Sequence, residues 1–209
     1  MPFNLPKITK LLLIANVVAY LLQLMLGERA YAFLELWPYV PGAGAQLFMP
    51  WQLLSYGFLH DPTNFAHVAF NMLALVMFGA PLEYTWGERR FLAYYLVCVA
   101  GAGVCQLLLT SWMAAQGGPI APTLGASGGV FGLLLAYGML FPNQRVMLLI
   151  PPIPMKARTL VIVYGLFELM LGFTGLQPGV AHFAHLGGML FGWLLIRYWR
   201  GRSRGFERR

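Results

Sequence analysis

A serine hydroxyl becomes a nucleophile when a base takes its proton, and histidine is the commonest such base. The stretch TLGASGGVFG, residues 123–132, sets Ser127 among Gly125, Gly128, Gly129 and Gly132. The stretch AHLGG, residues 184–188, carries His185, with His182 three positions earlier. His67 and Asn71, four apart in HVAFN, would share one face of a helix. Together these types supply a nucleophile, a base and two donors for negative charge developing on a substrate oxygen. Each also has a structural reading. A serine among glycines packs helices, a membrane histidine bonds a neighbouring helix, and His67 with Asn71 ties two helices together. Only a common location would make them a site.

Composition says what must position them. The chain has 209 residues, of which 59% are hydrophobic and 10% charged, against roughly 25% charged in a soluble domain. Residues 91–144 hold no charged side chain, and residues 159–196 hold only Glu168. A membrane helix needs about 20 apolar residues. The reading is an all-α polytopic membrane protein, a single domain over 1–209, with spans near 9–27, 63–82, 91–114, 127–141, 158–174 and 180–198. The first could imitate a signal peptide but lacks a small-x-small cleavage site. Asp61-Pro62-Thr63-Asn64 predicts a turn and N-cap before the second span. Phe141-Pro142-Asn143 ends the fourth, and Pro151-Pro152-Ile153-Pro154 belongs to the loop before the fifth.

Charge sets direction. With the N-terminus cytoplasmic, all 14 basic residues except Arg29 lie on the cytoplasmic side, as the positive-inside rule requires. Both termini are then cytoplasmic. Six arginines fall in the tail from Arg197 to Arg209 and account for much of the net charge of +7, which reads as a contact with anionic lipid rather than nucleic acid. The outer segment 28–62, with Trp37, Tyr39, Phe48, Met49 and Trp51, suits the membrane interface.

The short fourth span then matters. Residues 127–141 make about 22 Å of helix against a hydrocarbon core of about 30 Å. A helix ending at the cytoplasmic face starts below the outer surface, so residues 117–126 must dip into the protein. Ser127, His185 and the His67/Asn71 pair converge at that depth. Gly128 with Gly132, and Gly188 with Gly192, form small-xxx-small faces that let the fourth and sixth helices approach. A metal site from His67, His182 and His185 lacks a HExxH pattern or a nearby thiolate. No cofactor and no metal are expected. Cys98 and Cys105, seven apart in one span, read as packed thiols. Glu168, about 9 Å below the outer end of its span, reads as a partner of His182 or a gating contact. No acid is expected to orient His185.

These motifs resemble the rhomboid family of intramembrane serine proteases. GASG at 125–128 resembles its GxSG nucleophile motif, AHLGG its AHxxG motif and HVAFN its HxxxN motif. GAPLEYTWG at 79–87 resembles its GxxxExxxG signature. The six-span form is similar to the basic bacterial type in the plasma membrane. The resemblance implies a Ser127–His185 dyad acting on transmembrane protein substrates through an acyl-enzyme. His67, Asn71 and the Ser127 backbone N–H would form the oxyanion hole, with Gly125, Gly128, Phe131 and Gly188 supporting the site. It also implies that the fifth span gates lateral entry. A non-catalytic relative that binds membrane clients is the alternative. Two positions depart from the family pattern. Gln52 follows Trp51 where Arg is frequent, and Phe131 stands where well-known members carry Tyr. Phe131 can still stack on the His185 imidazole.

Overall fold

The computed structural model describes residues 5–42, 48–147, 153–177 and 179–206, the side chains of 202–206 excepted. It is built on helices. They are α1 (Lys7–Leu26), α2 (Glu28–Tyr31), α3 (Gln52–Ser55), α4 (Phe65–Ala74) and α5 (Ala80–Trp86). The set continues with α6 (Glu88–Ala115), α7 (Ser127–Leu140), α8 (Ala157–Thr174) and α9 (His182–Phe206). Among the described residues, α1, the continuous run Phe65–Trp86, α6 and α8 are long and apolar enough to cross a membrane. α7, at 14 residues, is shorter, and α9 corresponds to the sixth predicted span.

The second span runs four residues beyond the predicted 82. A π-helical turn at Leu75–Gly79 joins α4 to α5. Pro81, which cannot donate to the ladder, falls just after it in the first turn of α5. Ahead of α4, the Asp61 carboxylate accepts from the Thr63 N–H (2.8 Å) and hydroxyl (2.7 Å), giving the expected turn. Asn64 occupies the N-cap position without a side-chain cap bond. The all-α expectation needs one amendment. β1 (Arg145–Met147) and β2 (Pro154–Lys156) form an antiparallel pair between α7 and α8, with Val146 opposite Met155. Alternating exposure along β1, with Val146 inward, is the pattern of a short half-buried strand. Pro151 and Pro152 lie outside the described residues, and Pro154 opens β2.

Burial is inverted relative to a water-soluble protein. α1 turns Thr9, Leu12, Asn16, Tyr20 and Gln23 inward at three- and four-residue spacing. It leaves Leu11, Ile14, Val18, Leu21 and Leu22 exposed. α8 likewise exposes Ile162, Leu166, Leu169 and Phe173 while burying Glu168. Lipid tails are as apolar as leucine, so apolar side chains gain little by turning inward, and polar ones must find protein partners.

Those partners tie distant segments together. The buried Glu83 carboxylate accepts from the Ile8 N–H (2.8 Å), the Thr9 N–H (2.7 Å) and the Thr9 hydroxyl (2.8 Å). An anion thus satisfies the first-turn donors of α1 and meets the positive end of its dipole. Gln52 is 1% exposed. Its Oε1 accepts from Trp37 and Met49 N–H, each at 3.2 Å, and its Nε2 donates to the Phe33 carbonyl. A neutral amide therefore supplies both donor and acceptor to the 28–62 segment. That segment is joined to the serine loop. Leu36 and Thr123 exchange two backbone bonds of 3.0 and 2.9 Å, and the Gly125 N–H donates to the Tyr56 carbonyl at 3.0 Å.

The centre is the α6, α7 and α9 contact. A Cβ on Gly188 would strike the carbonyl oxygen of Gly128, and one on Gly128 would strike the Cβ of Ala102 on α6. Gly132 faces Cys98 and the Gly188 carbonyl. Gly128, Gly132 and Gly188 therefore meet backbone to backbone, whereas Gly192, expected on the same seam, faces Tyr94 and Cys98 of α6. Cys98 and Cys105 are free thiols, the first buried.

Gly188→Ala should force α7 and α9 apart and cost about 1–3 kcal/mol, the usual range for overpacking. Thermal unfolding in detergent reads it, and an unshifted melting curve would refute the contact. Glu35 is buried beside the Leu36–Thr123 bridge, and burial together with the Glu28 charge pushes its carboxyl from 4.5 up to about 7. The folded state then holds a proton that the unfolded chain releases. This contribution to stability is full below pH 4.5 and is lost as pH rises towards 7. Glu35→Gln should flatten that part of the melting-temperature profile against pH.

Candidate active site

Ser127 opens α7 and is half-buried. The chain reaches it through Gly125, whose φ of 134° is open to glycine but strained for other residues, and through the fully buried Ala126. Its backbone N–H belongs to the first helical turn, whose donors have no intrahelical acceptor. His185 stands one turn into α9, brought over α7 by the Gly128–Gly188 approach. Its Nε2 lies 2.8 Å from Ser127 Oγ. The Phe131 ring stacks on the imidazole at 4.2 Å with an interplanar angle of 4°. Phe131 is one turn below Ser127 on the same helix face, so the serine and the support for its base come from one element.

His67 and Asn71 lie one turn apart on α4, and His67 is the one that reaches the serine loop. The backbone N–H of Asp61 donates to His67 Nδ1 at 3.3 Å, so that nitrogen is the acceptor and the ring proton resides on Nε2. A Cβ at Gly125 would lie 3.0 Å from His67 Nε2 and 3.6 Å from Ser127 Oγ. The missing side chain of Gly125 thus leaves a gap between a donor and the serine oxygen. Asn71 is buried and gives one amide hydrogen to the His67 carbonyl at 2.9 Å. Behind His67, the fully buried His60 ring packs edge-on at 5.2 Å. Burial, then the neighbouring His67, lowers His60 to about 4 and keeps it neutral near pH 7.

One expectation is corrected. Spacing along the chain places no acid against His185, yet Glu168 Oε2 lies 2.9 Å from His185 Nδ1 as well as 2.7 Å from His182 Nδ1. Glu168 is 17 positions from His185 and on another helix. The helix period cannot relate residues on separate helices; only the α8–α9 packing does. The retrievable signal was that Glu168 is the sole acid in a long apolar run. The three-histidine metal set also changes. His67 spends Nδ1 on Asp61, and the donor atoms within 4.8 Å of one another belong to Glu168, His182 and His185. Those three could ligate a cation, but the same atoms are at hydrogen-bonding distance from each other.

The comparisons with known proteins agree with this architecture. Residues 47–202 match the Rhomboid domain family. The chain is 29% identical over 151 residues to rhomboid protein 1 of Saccharomyces cerevisiae mitochondria, covering 69% of this chain and 42% of that protein. It is 35% identical over 149 residues to RHOMBOID-like protein 4 of Arabidopsis thaliana, covering 69% and 33% respectively. With the rhomboid protease GluP of Bacillus subtilis the figures are 30% over 142 residues, 68% and 24%. The chain thus aligns with less than half the length of these curated relatives. A family match across most of the chain, on a polytopic helical fold, identifies it as a member of the rhomboid family.

Proposed function

We propose that this chain is an intramembrane serine endopeptidase that cleaves transmembrane protein substrates. The observation that carries this reading is the 2.8 Å contact between Ser127 Oγ and His185 Nε2, half-buried in an apolar helical protein. In the reaction, the Ser127 proton passes to Nε2 as Oγ bonds to the scissile carbonyl carbon. The carbonyl electrons move onto oxygen, giving a tetrahedral oxyanion. As it collapses, the C–N bond breaks and the leaving amine takes the proton from Nε2. Water, deprotonated by the same nitrogen, then hydrolyses the acyl-enzyme.

The developing oxyanion needs donors fixed before the reaction. His67 Nε2–H, the free Asn71 amide hydrogen and the Ser127 N–H supply them in this reading. The tautomer of His67, set by Asp61, and the space left by Gly125 support it. Phe131 holds the imidazole in plane without a hydroxyl. The basic residues orient both termini to the cytoplasmic side of the plasma membrane, so the site opens towards the other face, and the C-terminal arginines meet anionic lipid.

The test is cleavage of a transmembrane reporter by purified protein in liposomes. Ser127→Ala and His185→Ala should abolish cleavage, and His67→Ala should lower kcat by about 10²–10³-fold, the usual loss for one oxyanion donor. Binding of the reporter without cleavage by the wild type would instead support a client-binding relative. Gly125→Ala should also lower kcat sharply, because its Cβ enters the oxyanion space. An unaltered rate there would remove that space from the mechanism.

A further inference from the structure

The α8 carboxylate that reaches His185 has no place in a two-residue mechanism. Glu168 is 7% exposed, and it accepts both imidazoles through one oxygen, Oε2. One oxygen holds at most one hydrogen, so at least one imidazole must donate to it. His185 has its Nε2 against the serine hydroxyl, and that nitrogen must be bare to act as a base. Its proton therefore belongs on Nδ1, where Glu168 receives it. A buried carboxylate is costly unless hydrogen-bonded. His182, standing perpendicular to His185 with ring centroids 6.3 Å apart, provides the second donor that makes this anion tolerable.

We infer that Glu168 is a positioning residue of the serine site. Its Oε2 fixes the Nδ1–H tautomer of His185, and its charge stabilises the imidazolium formed when His185 takes the Ser127 proton. His182 holds the carboxylate in place. This rests on the serine-protease reading. The other titratable groups around His185 are His182 on its own helix and His67 from α4. Tyr164 of α8 meets the Phe131 ring at 6.2 Å, and Cys105 of α6 meets Gly187. Because Glu168 belongs to α8 and His185 to α9, the base is armed only while those helices stay together at this level.

Glu168→Gln separates charge from shape. The amide oxygen can replace Oε2 and accept from both imidazoles, while the negative charge is lost. The rate at which a fluorophosphonate probe labels Ser127 should fall by roughly 10⁴-fold, the loss found when the acid of a Ser-His-acid site is removed. Its acid limb should move to lower pH, because nothing then favours the imidazolium. A helix that is only tied to its neighbour would lose rate with the limb unmoved, and that result overturns the inference, as does wild-type labelling. Nitrogen-15 NMR of histidine-labelled wild-type protein provides a readout without activity. It should show a slowly exchanging, downfield Nδ1–H that His185→Ala removes, and a bare His185 Nδ1 would refute the tautomer. If the wild-type Ser127 does not react at all, the protease reading fails and this inference with it. A reactive wild type with an indifferent Glu168→Gln sinks the inference alone.

Discussion

The distance between a backbone oxygen and a missing side chain governs this molecule. Where Gly188 of α9 meets the carbonyl of Gly128 on α7, no Cβ fits. The two helices can approach closely only through that gap, and Ser127 and His185 sit one residue before Gly128 and three before Gly188. The contact between their side chains is therefore a consequence of the backbone contact. The third wall is α6, whose Ala102 and Cys98 fill the space beside Gly128 and Gly132. In a membrane, where apolar burial drives helix association only weakly, such close van der Waals approach is a principal source of specificity.

Polar side chains perform the long-range work that hydrophobic burial performs in water. Glu83 holds the start of α1, Gln52 organises the loop between α1 and α4, and Gln23 pairs with the His60 backbone through both ends of its amide. Each sits in a place where an unpaired polar group would be expensive. The bridge from Leu36 to Thr123 and the bond from Gly125 to Tyr56 extend this scaffold to the residues just before Ser127. The serine loop is thus held by the 28–62 segment as well as by its own helix.

Around the serine, protons are assigned by second partners. Asp61 donates to His67 Nδ1 and leaves a hydrogen on Nε2; Glu168 faces His185 Nδ1 and leaves Nε2 open to Ser127. With the tautomer inferred for His185, the two histidines carry their protons on opposite nitrogens, one suited to donating and the other to accepting. Phe131 adds a flat surface that keeps the His185 ring from rotating.

The sequence by itself determined the helical membrane class, the approximate spans and the short α7. Apolar runs of membrane length, charge gaps and glycine spacing are local properties, and they survive in any arrangement of the helices. It also picked out Ser127, His185, His67 and Asn71 as candidates, since each belongs to a motif of a few consecutive residues and the helix period sets His67 and Asn71 on one face. Tertiary structure alone decided what joins separate elements. It set Glu168 of α8 against His185, Asp61 against the ring of His67, Glu83 under the first turn of α1, and a strand pair between α7 and α8. Helical period relates residues three or four apart on one element. It carries no information about which face of another helix, dozens of residues away, will be turned towards them.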